Sequence, residues 1–173
     1  MTRSVSIDTL DSAFPIGDEG LLIEEIRNLK DRRSPRQARV AKAVQILEQT
    51  GSSRVRNAAA LALADLRAEN AKEALINLLM RPDTKESRGT LLYALGELAA
   101  DVPLTILAEI IAEESYEERE EALALIRRDR IECSAAEFAK ARVRLEAALG
   151  SADPERSQAV HRALEYLTTR HYT

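Results

Sequence analysis

The side chains that most often carry catalysis are scarce in this chain. It has two histidines, His161 and His171, and one cysteine, Cys133. A metal site needs several ligands at a fixed spacing, and a nucleophilic thiol needs a basic and exposed environment. The sequence contains neither pattern, and it also lacks a glycine-rich phosphate loop and a nucleophile elbow. We therefore predict no catalytic residue, no metal site and no cofactor, and expect Cys133 to be a small buried residue.

The charged residues are numerous and of both signs. Twenty-five basic and 29 acidic residues give a net charge of −4 and an isoelectric point of about 5.4. A nucleic-acid-binding protein usually carries a basic stripe, so we predict no nucleic-acid partner. The acidic stretch 113–121 is expected to be the solvated start of a helix, where the helix dipole favours acids. The alternative is a contact surface for a basic partner.

A row of arginines recurs along the chain. Residues 55–66 (VRNAAALALADL) and 87–98 (SRGTLLYALGEL) share an arginine, an Ala–Leu pair, an acid and a final leucine at a spacing of 32 residues. The complete row is Arg56, Arg88, Arg119 and Arg156. Such a repeat indicates stacked helical hairpins. We interpret the row as structural, with phosphate binding as the alternative.

The elements that would carry these residues are helices. Apolar residues recur at helical spacing between short turns, and aromatic residues are only 3% of the chain, which favours closely stacked helices of Leu and Ala over a sheet. Ser34–Pro35 and Ser134 with Glu137 are expected to begin two of the helices. The predicted helices span about 18–30, 34–50, 53–68, 70–80, 84–99, 102–113, 115–128, 134–149 and 153–169. Residues 1–16 are predicted to be an N-terminal arm, partly ordered, and residues 17–173 one repeat domain.

The repeated segments resemble HEAT repeats, in particular the short bacterial HEAT-like repeats first named from phycobilisome lyases. Their first-helix pattern is matched by Val55–Arg56, Ala59–Ala60, Ala62–Leu63 and Leu66, and again by Arg88, Ala94–Leu95–Gly96 and Leu98. The resemblance implies an all-α, right-handed α-solenoid of stacked antiparallel helix pairs, with the first helices outside and the second helices lining a concave face. It also implies that each arginine of the row pairs with an acid near the turn of an adjacent repeat. Asp83 and Asp153 are placed for this role.

The second helices would present two rows of residues on the concave face. One row is Ala41, Glu73 and Thr105, and the other is Gln45, Asn77 and Glu109. Both rows are mainly polar and weakly acidic, which favours a protein or peptide partner; an ordinary solvated face is the alternative. We therefore predict a non-enzymatic protein-binding module, either an adaptor or scaffold, or a neutralising partner such as an immunity protein. The alternative function is a lyase-like or chaperone-like subunit acting on a chromophore protein.

The remaining expectations concern location and assembly. The N-terminal residues contain no long apolar segment of a signal peptide, and no apolar run is long enough to span a membrane. We therefore predict a cytoplasmic protein with no membrane partner. Only the predicted arm would cover the amino-terminal end of the solenoid, so the protein is expected to be a monomer or a weak dimer.

Overall fold

A computed structural model describes residues 19–29, 33–85, 87–113, 115–128, 133–150 and 153–169. Within these ranges the chain forms nine α-helices and no strand. They are α1 (Glu19–Asn28), α2 (Arg36–Gln49), α3 (Ser53–Asp65), α4 (Lys72–Leu79), α5 (Gly89–Glu97), α6 (Leu104–Glu113), α7 (Tyr116–Ile126), α8 (Ala135–Ala148) and α9 (Pro154–Thr168). The all-α fold of about nine helices is confirmed. The predicted arm, residues 1–16, lies outside the described residues.

The helices form two layers. Helices α1, α3, α5, α7 and α9 pack side by side in what we call the odd layer, and α2, α4, α6 and α8 form the even layer. Arg36, at the start of α2, donates to the carbonyl oxygens of Leu66 at 3.0 Å and Arg67 at 2.5 Å, just beyond the end of α3. Neighbours in different layers are therefore antiparallel, as predicted from the short connections.

The core follows the 32-residue register. The pairs Ile46–Leu47, Leu78–Leu79 and Ile110–Ile111 are buried at equivalent positions of α2, α4 and α6. Ala59 and Ala60 are completely buried in α3, where their short side chains allow close approach of neighbouring helices. Each buried leucine or isoleucine stabilises the fold by about 1.5–3 kcal/mol relative to an exposed one.

Helices α3 and α5 end earlier than the sequence predicts. Arg67 and Ala99 adopt positive φ angles of 51° and 49° directly after these helices. The following residue, Ala68 or Ala100, donates its N–H to Leu63 or Leu95 at 3.0 Å. This arrangement is a Schellman motif, which satisfies carbonyl groups that the helix leaves without partners.

Helix α5 also begins later than the predicted residue 84. Pro82–Thr84 form a short 3-10 turn, and Thr84 is completely buried. Its hydroxyl lies 2.6 Å from the carbonyl oxygen of Leu78 and 2.9 Å from that of Arg81. Thr84 therefore completes the end of α4 instead of starting α5.

Of the two helix starts predicted from capping residues, that of α2 is wrong and that of α8 is confirmed, but without the complete capping box. Pro35, not Ser34, precedes α2, and it offers no side-chain cap. Ser134 does accept the N–H of Glu137 at 3.2 Å, but the Glu137 carboxylate accepts the N–H of Leu104 in α6 at 2.8 Å. The expected local capping box is thus replaced by a contact between two helices of the even layer.

Candidate functional site

The six residues predicted to bind a partner all lie on the even layer. They are Ala41 and Gln45 on α2, Glu73 and Asn77 on α4, and Thr105 and Glu109 on α6. Gln45 and Thr105 are half-buried, and the other four are exposed.

A groove separates α4 from α6 and contains a cavity of about 330 Å³. Its lining consists of Leu79, Met80, Arg88, Thr105, Ile106, Glu109 and Ile110. The groove exists because α4 has only eight residues and because α6 packs much more closely along α8 than along α4. Two of the six predicted residues, Thr105 and Glu109, are therefore brought together at this cavity, whereas the other four do not line it.

Glu109 is also bound by a residue that the sequence reasoning missed. Arg144 of α8 donates from Nε to Glu109 and from Nη2 to Glu113, each at 2.5 Å. The hydrogen bond to Glu109 is the main cause that raises the pKa of the Arg144 guanidinium. The negative charge of Glu109 is thus balanced from the α8 side of the groove.

The apolar rim of the groove was not predicted either. The side chain of Met80, directly after α4, is 65% exposed, and Ile106 is half-buried. Met80 does not lie on the face of α4 that carries the buried residues Leu75, Leu78 and Leu79. An apolar residue outside that face was the sequence signal that could have indicated the rim.

The arginine row lies at the start of the odd-layer helices. Arg56 is almost completely buried, with Nη2 3.2 Å from Asp83 and Nη1 3.3 Å from the hydroxyl of Ser87. Arg119 is also buried, and its Nη1 lies 3.4 Å from Asp153.

The other two members of the row are placed differently. Nε of Arg156 lies 3.8 Å from Asp153, the acid that Arg119 also contacts. Nη2 of Arg88 lies 3.5 Å from the carbonyl oxygen of Arg81, and the Arg88 side chain reaches the cavity between α4 and α6. That the row acts as a structural ladder stays a prediction.

Electrostatics around Arg56 follow from burial and from its neighbours. Burial is the main cause that lowers the pKa of Arg56, and attraction to Asp83 opposes it. The pKa of Asp83 is itself lowered, chiefly by hydrogen bonds from Arg81, whose Nε and Nη2 lie 2.9 and 2.8 Å from its two oxygens. Asp83 therefore stays ionised between two guanidinium groups.

The acidic stretch 113–121 is less solvated than the sequence suggests. Glu118 is buried and accepts hydrogen bonds from the backbone of Arg88 and from Ser115. Glu113 is bound by Arg144, and Glu120 is bound by Arg162 of α9 at 3.2 Å. These three acids thus join helices to one another.

The groups that could do chemistry are dispersed. Cys133 is half-buried against the core, where it was expected to be buried, and burial followed by the charge of Glu137 raises the pKa of its thiol. His161 is exposed on α9, and His171 lies outside the described residues. Among the residues that the structure describes, no three potential His, Cys, Asp or Glu ligands come together in a metal-binding group.

Two layers of antiparallel helices that repeat in register define an α-solenoid. The family model for HEAT repeats matches residues 40–127, just over half of the chain. The chain therefore belongs to the HEAT repeat family. Searches of the curated proteins and of the solved structures find no match to it.

HEAT repeats commonly act as scaffolds for protein interactions, and their fold is typically non-catalytic. In the part of the chain that the structure describes, no helix combines the length and the apolar character needed to cross a bilayer.

Proposed function

We propose that this protein is a non-enzymatic binding module that holds a protein or peptide partner on the exposed side of the even layer. The observation that carries the proposal is the cavity between α4 and α6. There, Thr105 and Glu109 from the two predicted rows lie beside the exposed Met80. Depending on which partner it binds, the protein would act as an adaptor or scaffold, or as a neutralising factor.

The residues that line the groove favour a side chain of a partner protein as its ligand. Its volume of about 330 Å³ is near the lower end of the range for ligand sites, about 300–1,000 Å³. Apolar walls from Leu79, Met80, Ile106 and Ile110 would favour an apolar anchor residue. Thr105 would supply a hydroxyl for orientation. Methionine is flexible and polarisable, so Met80 can adapt to partners of different shape.

The charge of the chain supports a protein partner over a nucleic acid. Its net charge is −4. Glu109 and Glu113 lie along the even layer, where they would oppose a phosphate backbone even though Arg144 balances part of their charge. If the chain did bind a nucleic acid, its affinity would fall steeply as the salt concentration rises.

The test is site-specific photo-crosslinking in the native cell. A photoreactive residue placed at Asn77, which is exposed on α4, should give a crosslinked protein product. The same residue at Gln158, which is exposed on α9, serves as the control and should give none. Met80→Asp should weaken the Asn77 product because it places a charge on the apolar rim. Equal products at both positions, or no product at Asn77, would contradict the proposal.

A further inference from the structure

A second crevice lies on the odd layer, between α3 and α5, away from the predicted binding rows. It encloses about 320 Å³ and is lined by Leu61, Ala64, Asp65, Arg67, Tyr93 and Glu97. Leu61 and Tyr93 are 42% and 46% exposed. They lie 32 residues apart, as do Asp65 and Glu97, so the crevice is built from equivalent positions of two repeats.

The next crevice along the odd layer, between α5 and α7, is filled by an arginine of the chain itself. Arg128 donates from Nη2 to the carbonyl oxygen of Gly96, near the end of α5. A Cβ atom on Gly96 would lie only 3.1 Å from that nitrogen and 3.6 Å from Leu125. The α5–α7 crevice thus holds a guanidinium group at the carboxyl end of a helix, where the helix dipole favours a cation.

In the α3–α5 crevice an acidic residue, Glu97, takes the position in the repeat that corresponds to Arg128 in the α5–α7 crevice. Glu97 precedes Arg128 by 31 residues, the same offset that relates the buried Leu92 to the buried Leu123. On the other wall, Ala64 precedes Gly96 by 32 residues. The methyl group of Ala64 therefore lies at the place where, in the neighbouring crevice, a Cβ on Gly96 would be too close to Arg128.

We propose that the α3–α5 crevice binds an arginine side chain of a partner protein, held by the two acids of the crevice and displaced from the place that Arg128 takes between α5 and α7, because the methyl group of Ala64 lies there. The arginine stem would pack on Leu61, and the guanidinium would lie beside Asp65 and Glu97, since carboxylates bind its planar fork well. The ring of Tyr93 would add a cation–π contact. Arg67 also lines the crevice and offsets part of the acidic charge.

The surface is distinct from the groove of the even layer. Its lining residues belong to α3, α5 and the turn after α3, whereas the groove lies between α4 and α6. A partner that occupied both the groove and the crevice would contact both layers. Binding at either site does not require binding at the other.

The experiment uses the full chain and two matched small probes. N-acetyl-L-argininamide carries the guanidinium, and N-acetyl-L-citrullinamide is its neutral isostere. We expect the first to shift the NMR amide signals of Ala64, Tyr93 and Glu97 in a saturable manner. The second should bind about tenfold more weakly or not at all, because it lacks the charge that strengthens hydrogen bonds to carboxylates.

Variants of the crevice separate this site from adventitious binding. Glu97→Gln should weaken argininamide binding about tenfold. Glu48→Gln, which removes an exposed acid on α2 outside both proposed sites, should leave binding unchanged. Glu97→Arg should abolish binding because it replaces a carboxylate with a second guanidinium in the crevice, beside Arg67.

The proposal is overturned if both probes bind equally, if the shifts fall outside α3 and α5, or if Glu97→Gln binds like the wild type. Should Glu97→Arg fail to fold, the two probes and Glu97→Gln still decide the question. None of these results bears on crosslinking at Asn77, so the two proposals fail or stand separately.

Discussion

Glu118 of α7 binds the backbone of Arg88, the residue that precedes α5. Its Oε1 accepts the Arg88 N–H at 3.0 Å, while Oε2 accepts the N–H and the hydroxyl of Ser115 at 3.1 and 2.7 Å. One buried carboxylate therefore caps the starts of two parallel helices and fixes their relative position. Glu137 makes a similar contact in the even layer, where it accepts the N–H of Leu104.

We predict that Glu118→Ala lowers the free energy of unfolding by about 2–4 kcal/mol. The substitution leaves the partly buried N–H groups of Arg88 and Ser115 without the Glu118 carboxylate as their acceptor, and an unsatisfied buried group costs about 1–3 kcal/mol. Glu118→Gln should cost less, since the amide oxygen can still accept at one of the two positions. Urea unfolding followed by circular dichroism measures both effects.

The neighbouring Glu117 provides the matched control for Glu118. It is exposed, and its charge contributes to raising the pKa of Glu121, after the larger effect of burial. Glu117→Gln should leave stability within about 0.5 kcal/mol of the wild type. A similar loss from both substitutions would show that charge at the start of α7, and not capping, is responsible.

Members of the arginine row should differ in their contribution to stability. Arg56→Ala removes a buried guanidinium and should cost about 2–3 kcal/mol, below the usual value for a buried pair because Asp83 is half-exposed. Arg156→Ala should cost less than about 1 kcal/mol because the Arg156 side chain is 34% exposed and its contact to Asp153 is long, at 3.8 Å.

Thermal or urea unfolding of the two arginine variants provides the test. Equal effects would contradict the predicted difference between the two arginines. An Arg56→Ala variant that keeps its melting temperature and loses a partner would refute the structural ladder.

Stability should fall in acid partly through Asp83. Its pKa is lowered in the folded state, chiefly by Arg81, so folding favours the ionised carboxylate. This stabilisation is present above the ordinary carboxyl pKa of about 3.9 and is lost as the pH falls through the lower folded value. Asp83→Asn should therefore be less stable than the wild type at pH 7, and the difference should shrink below about pH 4.

Arg81→Ala is the companion variant for the acid experiment. It removes the main cause of the lowered pKa of Asp83. In the Arg81→Ala protein, adding the Asp83→Asn substitution should therefore change the pH dependence of stability less than it does in the wild type. A difference that stays constant from neutral pH to acid would contradict the assignment of the effect to Asp83.

Ala99→Gly should stabilise the protein by about 0.5–1 kcal/mol. Ala99 has a φ of 49°, in the left-handed region that costs a residue with a Cβ about 1–2 kcal/mol and glycine little. The greater freedom of glycine in the unfolded chain cancels part of this gain. Ala100→Gly is the control: it follows the strained position, has no positive φ and is buried, so it should destabilise instead.

The register of the odd layer could be predicted from the sequence because it depends on local periodicity. The repeated arginine and Ala–Leu pairs place buried residues on the same face of α3 and α5. The start of α5 could not be predicted in this way. It depends on Thr84, which completes α4, and on Glu118, which lies 30 residues away from the N–H group it accepts.

The candidate site was predicted only in outline. The register assigns Thr105 and Glu109 to the even layer, but the cavity beside them depends on how closely α6 approaches α4 and α8. That approach is set by contacts such as Arg144 to Glu109, which join residues 35 positions apart and follow no repeated pattern.

The short helix α4 packs on α5 and α2 much less extensively than α6 packs on α7, α8 and α9. Its amide hydrogens should therefore exchange with solvent sooner than those of α6, through local openings smaller than global unfolding. A molecule seated against Leu79 and Met80 would suppress such openings. Slower amide hydrogen exchange in α4 would therefore report that the groove is occupied, even when the bound molecule is unknown.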